Sequence, residues 1–229
     1  MSVTTELNFD EQRTVAYRWL SSLFMRELTR EQLDSYRTGE NSRFPETVAV
    51  ITGPKASLNK IESELKKTHT EDSVLDLASE YGRLFLGAGG PLAVPPYESF
   101  FTSESNTTHQ QAETEVSKLM AEYGIGVNST FTEPADHVAV LLEFMAFLST
   151  SQQDNEDMKV AFARSKSFLE THLLNWIPDF ASTCAKVEPE GFYSAAAGLT
   201  ADFIAADINW LNAQLEKRTA QKTPGGNDE

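Results

Sequence analysis

The sequence predicts an all-α protein of about ten helices, arranged in two helical halves joined by a hinge. Three observations carry this. Apolar residues recur at helical spacing along most of the chain, and no convincing period-two run interrupts them. Glycine and proline are few, 12 and 9 in 229 residues, and they cluster between the periodic segments. Hydrophobic residues make up 40%, with 14 Phe, which suits a folded chain with a sizeable core.

The first helix spans residues 10–28, with Ala16, Trp19, Leu20, Leu23, Phe24 and Leu28 on one stripe. Thr29 and Gln32 have capping-box spacing, and Gly39 stops a short second helix. Phe44-Pro45 opens another short piece that ends near Gly53-Pro54. Leu58, Ile61 and Leu65 mark a helix over 55–67. Thr70 opens the next, with Val74, Leu77, Ala78, Tyr81, Leu84 and Phe85 inward. Residues 87–101 then lose the helical period. Three glycines and three prolines make this stretch a shaped loop, yet it carries Leu92, Val94, Tyr97, Phe100 and Phe101. Such a loop either packs back on the core or forms a binding surface. Helices are expected over 108–123, 132–150, 155–174, 176–186 and 192–217. Residues 124–130 form a glycine-bearing linker. The halves are therefore 1–128 and 129–218, with a disordered polar tail over 219–229.

Charge and cysteine usage narrow the function classes. Acidic residues outnumber basic ones 34 to 19, giving a net charge of −15. A phosphate backbone is repelled by such a surface, so nucleic acid is not the expected partner. The charge either serves solubility alone or suits a basic partner. Cys184 is the only cysteine, which excludes an internal disulfide and a CxxC metal site. The first ten residues lack a basic segment followed by an apolar one, so no secretory signal is expected. The best apolar run, residues 138–148, is short for a membrane span and carries Glu143. A soluble, cytoplasmic protein is the expectation.

The chemistry-bearing stretch is Glu133-Pro134-Ala135-Asp136-His137. It reads as the first turn of a helix, with Thr132 as cap, Pro134 in the first turn and acids near the positive helix end. Adjacent Asp136 and His137 would point about 100° apart, which is not metal-ligand spacing. Glu133 and His137 stand at i, i+4, but one carboxylate and one imidazole fall short of a metal site. GxSxG, HExxH and the P-loop pattern are all absent, and Gly87-Ala88-Gly89-Gly90 lacks a following Lys-Ser/Thr. No catalytic or metal-binding residue and no cofactor is therefore assigned. Two readings of Asp136-His137 stay open: a polar network at a helix start, or a contact site. An acidic chain with an aromatic loop complements a basic, apolar peptide.

Three segments carry a family resemblance over about residues 10 to 210. Glu133-Pro134-Ala135-Asp136-His137 followed by Leu142-Glu143 is similar to the Glu-Pro-x-Asp-His signature of the TorD family, dedicated chaperones of molybdoenzymes exported by the twin-arginine route. Pro95-Pro96-Tyr97-Glu98-Ser99-Phe100-Phe101, after Leu84-Phe85-Leu86-Gly87, is similar to its loop motif. Trp176-Ile177-Pro178-Asp179-Phe180 with Gly191-Phe192-Tyr193 is the third. The resemblance implies an all-helical, cytoplasmic, non-catalytic chaperone. Its client would be a molybdoenzyme precursor of the trimethylamine N-oxide reductase type, bound through signal peptide and mature part and held back from export until molybdenum cofactor insertion. It further implies client contact by Asp136, His137, Glu133, Pro95, Pro96, Tyr97, Ser99, Phe101 and Phe85. Homodimers by exchange of helical halves are also implied, and the linker at 124–130 suits such an exchange. An alternative, a guanine-nucleotide-binding helical regulatory protein, rests on the resemblance without a phosphate motif to support it.

Overall fold

Capping sets where the first helices begin. Asn8 opens α1 (Phe9–Met25) with a capping box, its side chain accepting from Glu11 N–H while the Glu11 carboxylate accepts from Asn8 N–H. The expected caps Thr29 and Thr70 open α2 (Arg30–Thr38) and α5 (Glu71–Phe85) in the same way, with Gln32 and Ser73 as reciprocal partners. Gly39, at φ 95°, closes α2. Between them lie α3 (Arg43–Thr52) and α4 (Ala56–Leu65). A computed structural model describes residues 8–39, 41, 43–103, 111–126, 132–150 and 157–220. The order continues through a 3-10 turn (Gly90–Leu92), α6 (Glu98–Thr102), α7 (Gln111–Glu122), α8 (Val138–Thr150), α9 (Met158–His172), α10 (Ile177–Val187) and α11 (Phe192–Ala220). These eleven helices bear out the all-α expectation, and the described residues contain no strand beyond one isolated bridge.

Several boundaries differ from expectation. Helix α1 ends at Met25 rather than at Leu28. A short helix, α6, sits inside the stretch read as a loop. Helix α8 begins at Val138 rather than near Glu133. Helix α11 runs to Ala220, past the expected tail start at Thr219, and the rest of that tail lies outside the described residues. Of the expected hinge, only 124–126 are described: Gly124, at φ 68°, ends α7 with an N–H bond to Ala121 O of 2.9 Å.

α1 is the axis of the fold. Ser21 Oγ donates to Ala139 O at 2.8 Å, and Thr14 and Thr150 hydroxyls lie 3.4 Å apart, so α8 runs antiparallel along it. Phe9 stacks on Trp210 at one end of α1, and just beyond its other end Leu28 N–H donates to Tyr193 Oη at 3.0 Å, so α11 is antiparallel to α1 as well. Tyr81 Oη donates to Phe24 O at 2.8 Å, so two tyrosines satisfy backbone groups at the end of α1. Helices on either side of residue 128 thus share one core: α1 on α8, and α3 and α4 on α11.

Two buried carboxylates tie distant segments to α11. Arg13 and Asp207 are both 0% exposed and form a bidentate pair, Nε–Oδ1 2.5 Å and Nη2–Oδ2 3.0 Å. Tyr17 Oη donates to Asp207 at 2.6 Å, and the guanidinium lies 4.8 Å from the Trp210 ring centre. Burial works against the Arg13 charge, but Asp207, with Tyr17 and Asp10, raises its proton affinity by more. Burial, and then Asp207, push the Tyr17 phenol well up. Glu80 accepts from Phe192 N–H at 3.0 Å and Tyr193 N–H at 2.7 Å, placing its carboxylate at the positive end of α11. A Cβ on Gly191 would collide with that carboxylate. Cys184 is buried, and burial followed by Glu80 pushes its thiol up and out of the reactive range.

Asp207→Ala is expected to lower stability by about 3–5 kcal/mol, because Arg13 stays buried without its partner. Arg13→Met/Asp207→Leu should recover most of that loss, read as urea midpoints at unchanged m-value. Gly191→Ala should cost about 1–3 kcal/mol in the same assay by displacing Glu80.

Candidate functional site

The glycine-rich turn after α5 is a helix terminus. Gly82 O accepts from Leu86 N–H at 3.2 Å and Ala88 N–H at 3.1 Å, while Arg83 O accepts from Gly89 N–H at 3.2 Å. Gly87 supplies the left-handed backbone at φ 79°, and a Cβ on Gly89 would come within 2.5 Å of Arg83 O. Val94 N–H returns to Leu84 O at 2.6 Å and folds the segment back on its own helix. Amides of Ala88, Gly89 and Gly90 that a phosphate would need are thus engaged internally.

The chain then meets the Glu133–His137 segment. Glu98 N–H donates to Asp136 O at 3.0 Å and Val138 N–H to Pro96 O at 2.9 Å. Tyr97 and His137 form the isolated antiparallel bridge. Asp136 is 0% exposed, and its Oδ2 accepts from both Ser99 N–H (3.0 Å) and Ser99 Oγ–H (2.5 Å). Asp136 therefore caps α6 from another part of the chain instead of capping its own helix. This is why the segment is not helical: Pro134 O accepts from His137 N–H at 3.0 Å in a tight turn, and the side chains serve the facing loop. Glu133 accepts from Tyr97 Oη at 2.6 Å.

His137 is the residue before α8, and its Nδ1 accepts from Ala139 N–H at 3.1 Å. The proton of the neutral ring is therefore on Nε2. The Tyr97 ring meets it edge-on, 5.1 Å between centres. Burial pulls the His137 pKa down to about 3, so the ring is neutral at physiological pH. Burial, and then the bond to Glu133, push the Tyr97 phenol up.

A second buried carboxylate fastens α6 from the other side. Glu98 Oε2 lies 3.0 Å from His172 Nδ1, and Asn175 Nδ2 donates to Glu98 Oε1 at 3.3 Å. Trp176 Nε1–H donates to His172 O at 2.8 Å, and Phe101 stacks on Trp176 at 5.5 Å. Glu98 stands in the loop motif without a role of its own and His172 and Asn175 carry no expectation from sequence, because pairs 74 and 77 residues apart leave no local pattern. Trp176 also stands in a motif, though its link to the loop does not show there.

The structure brings eight of the nine expected contact residues into one knot. Asp136, His137, Ser99 and Pro96 are buried in it, while Glu133, Pro95, Tyr97 and Phe101 are half-buried and reach its rim. Phe85 lies beneath, 6% exposed, with its ring against Phe24, Tyr81, Phe180 and Tyr193. It is a core ring that supports the turn. Among the described residues no group of three His, Cys, Asp or Glu could hold a metal ion, and no helix is long and apolar enough to cross a membrane. The knot offers hydrogen-bonded shape and an acidic, aromatic rim.

Comparison with known proteins places this knot within a shared region. A family model described as the nitrate reductase delta subunit matches residues 52–182. Chaperone protein TorD of Photobacterium profundum is 34% identical over 207 residues, covering 89% of this chain and 95% of that one. Chaperone protein TorD of Aliivibrio salmonicida is 34% identical over 211 residues, covering 90% and 98%. The namesake of Vibrio atlanticus is 32% identical over 207 residues, covering 89% and 96%.

The buried neutral imidazole has a pH consequence. Its folded pKa, about 3, lies below the ordinary value of 6.5. The unfolded chain therefore binds the extra proton first, and this contribution to stability is complete above about pH 6.5 and lost as pH falls toward 3. His137→Asn keeps a capping acceptor and removes the titration. Stability measured against pH is expected to be flatter for the variant across that window, by up to about 1.4 kcal/mol per pH unit.

Proposed function

The chain belongs to the TorD/NarJ-type chaperone family, whose role is binding rather than catalysis, and on that premise we propose that it holds the precursor of a molybdoenzyme through the knot around Asp136. The identity to proteins named chaperone TorD over about nine-tenths of the chain is the observation that carries this reading. The client is taken as a trimethylamine N-oxide reductase type apoenzyme in the cytoplasm, with its twin-arginine signal peptide attached. Holding both until molybdenum cofactor insertion would delay export.

The division of labour follows from exposure. Tyr97, Glu133, Pro95 and Phe101 face the client. Glu133 and the general acidic surface attract the paired arginines, and the rings and prolines meet apolar side chains. Asp136, His137, Ser99 and Pro96 hold those contacts in place, and Phe85 backs them from the core. A preorganised rim loses less conformational freedom on binding than a loose loop. Exchange of helical halves between two chains, through the linker after Gly124, remains part of the proposal for its oligomeric form.

Calorimetry with a synthetic twin-arginine signal peptide and with the apoenzyme tests this. Tyr97→Ala/Glu133→Gln is expected to weaken peptide binding about tenfold or more while the thermal melt stays close to wild type. Full-affinity binding by the double variant would remove the rim from the contact region, and absence of binding by the wild-type chain would sink the reading.

A further inference from the structure

α6 meets the rest of the chain on two faces. Ser99 turns toward Asp136. Glu98 and Phe101, three residues apart and so neighbours on the helix surface, turn toward the end of α9 and the start of α10. Both of these contacts converge on His172, the last residue of α9. Its Nδ1 lies 3.0 Å from Glu98 Oε2. Its carbonyl accepts from Trp176 Nε1–H at 2.8 Å, and Trp176 is the indole on which Phe101 stacks at 5.5 Å. One residue thus anchors a five-residue helix twice, through its ring at the start and through its carbonyl and an indole near the end.

Glu98 is tied by backbone and side chain alike. It is 4% exposed, and its Oε1 accepts from Asn175 Nδ2 at 3.3 Å. Its N–H donates to Asp136 O at 3.0 Å, and its carbonyl accepts from Thr102 Oγ1 at 3.0 Å. The carboxylate is buried and spent on the end of α9, so it does not meet a client itself. The two half-buried rim rings flank it along the chain: Tyr97 directly before, Phe101 three residues after. The His172 ring packs in turn on Phe168, 5.0 Å between centres, which holds the anchor from the preceding turn of α9. A helix this short does not hold its own orientation. Ser99 alone would leave α6 hinged on one face, and Glu98 on the other face fixes its rotation. Groups that lock the position of a binding side chain decide how well it binds.

We propose that Glu98, with His172 as its anchor, is a positioning residue for client binding: the pair fixes the rotation of α6 and with it the relative placement of the Tyr97 and Phe101 rings. This rests on the client-binding reading above and adds to it residues that act on the client without touching it. What Glu98 supplies is an acceptor of the right length rather than a charge for the client. Glutamine puts an amide oxygen in the same place, whereas alanine leaves α6 without its polar tie to α9.

Calorimetry with the synthetic twin-arginine signal peptide, run beside urea unfolding, tests the inference. Glu98→Ala is expected to bind the peptide about tenfold more weakly, and Glu98→Gln to bind within about threefold of wild type. Gly191→Ala, which disturbs Glu80 at the start of α11, should lose urea stability and keep wild-type affinity. That contrast separates placement of the rim from stability in general. Full affinity in Glu98→Ala would overturn the inference. So would a glutamine variant as weak as the alanine one, which would make the charge itself the requirement, or a Gly191→Ala variant whose affinity falls as far as that of Glu98→Ala. Asn175 is exposed and its side chain bonds Glu98 Oε1, so Asn175→Ala decides if Glu98→Ala lacks a cooperative melt. Binding about threefold weaker then supports the inference, and unchanged affinity overturns it. Failure of the wild-type chain to bind the peptide would bring down the client-binding reading and this inference with it, whereas equal binding by wild type and Glu98→Ala leaves that reading standing.

Discussion

The Asp136 carboxylate at the head of α6 is the constraint on which the rest of the site depends. α6 has five residues, too few to hold a helix by propensity. It exists because Asp136 satisfies Ser99 from one side and Glu98 is held by His172 and Asn175 from the other. An unpaired carboxylate in these surroundings would cost several kcal/mol. The arrangement is therefore all or nothing: the loop, the Glu133–His137 turn and the end of α9 either lock together or none of them is stable in place. Glu80 at the start of α11 and Asp207 against Arg13 repeat the same principle. In a fold joined by helix packing without a sheet ladder, buried carboxylates specify which ends meet.

What the sequence makes legible follows from what is local. Thr29 and Thr70 cap as their spacing says, Gly39 and Gly124 stop helices by a conformation few other residues take, and the apolar stripe of α1 is the buried one. The same local logic misplaced Asp136 and His137. An acid after a proline at the mouth of an apolar run is good helix-start chemistry, and only the facing Ser99 reveals that Asp136 caps someone else's helix. The contact of Glu98 with His172 is illegible for the same reason: a buried carboxylate–imidazole pair 74 residues apart has no signature in spacing. Phe85 could be read either as core or as surface from its motif, and its four aromatic neighbours from α1, α5, α10 and α11 decide for core.

Burial also divides recognition from support within one motif. Asp136 and His137 were the residues with the most reactive chemistry in the sequence, yet both are shut away from solvent. A neutral imidazole that spends Nδ1 on a backbone amide is a structural cap rather than an acid or base. The motif nonetheless fixes Tyr97 and Glu133 at the rim, the surface through which we propose the client is held. On that proposal its removal acts on recognition through geometry and on stability at once.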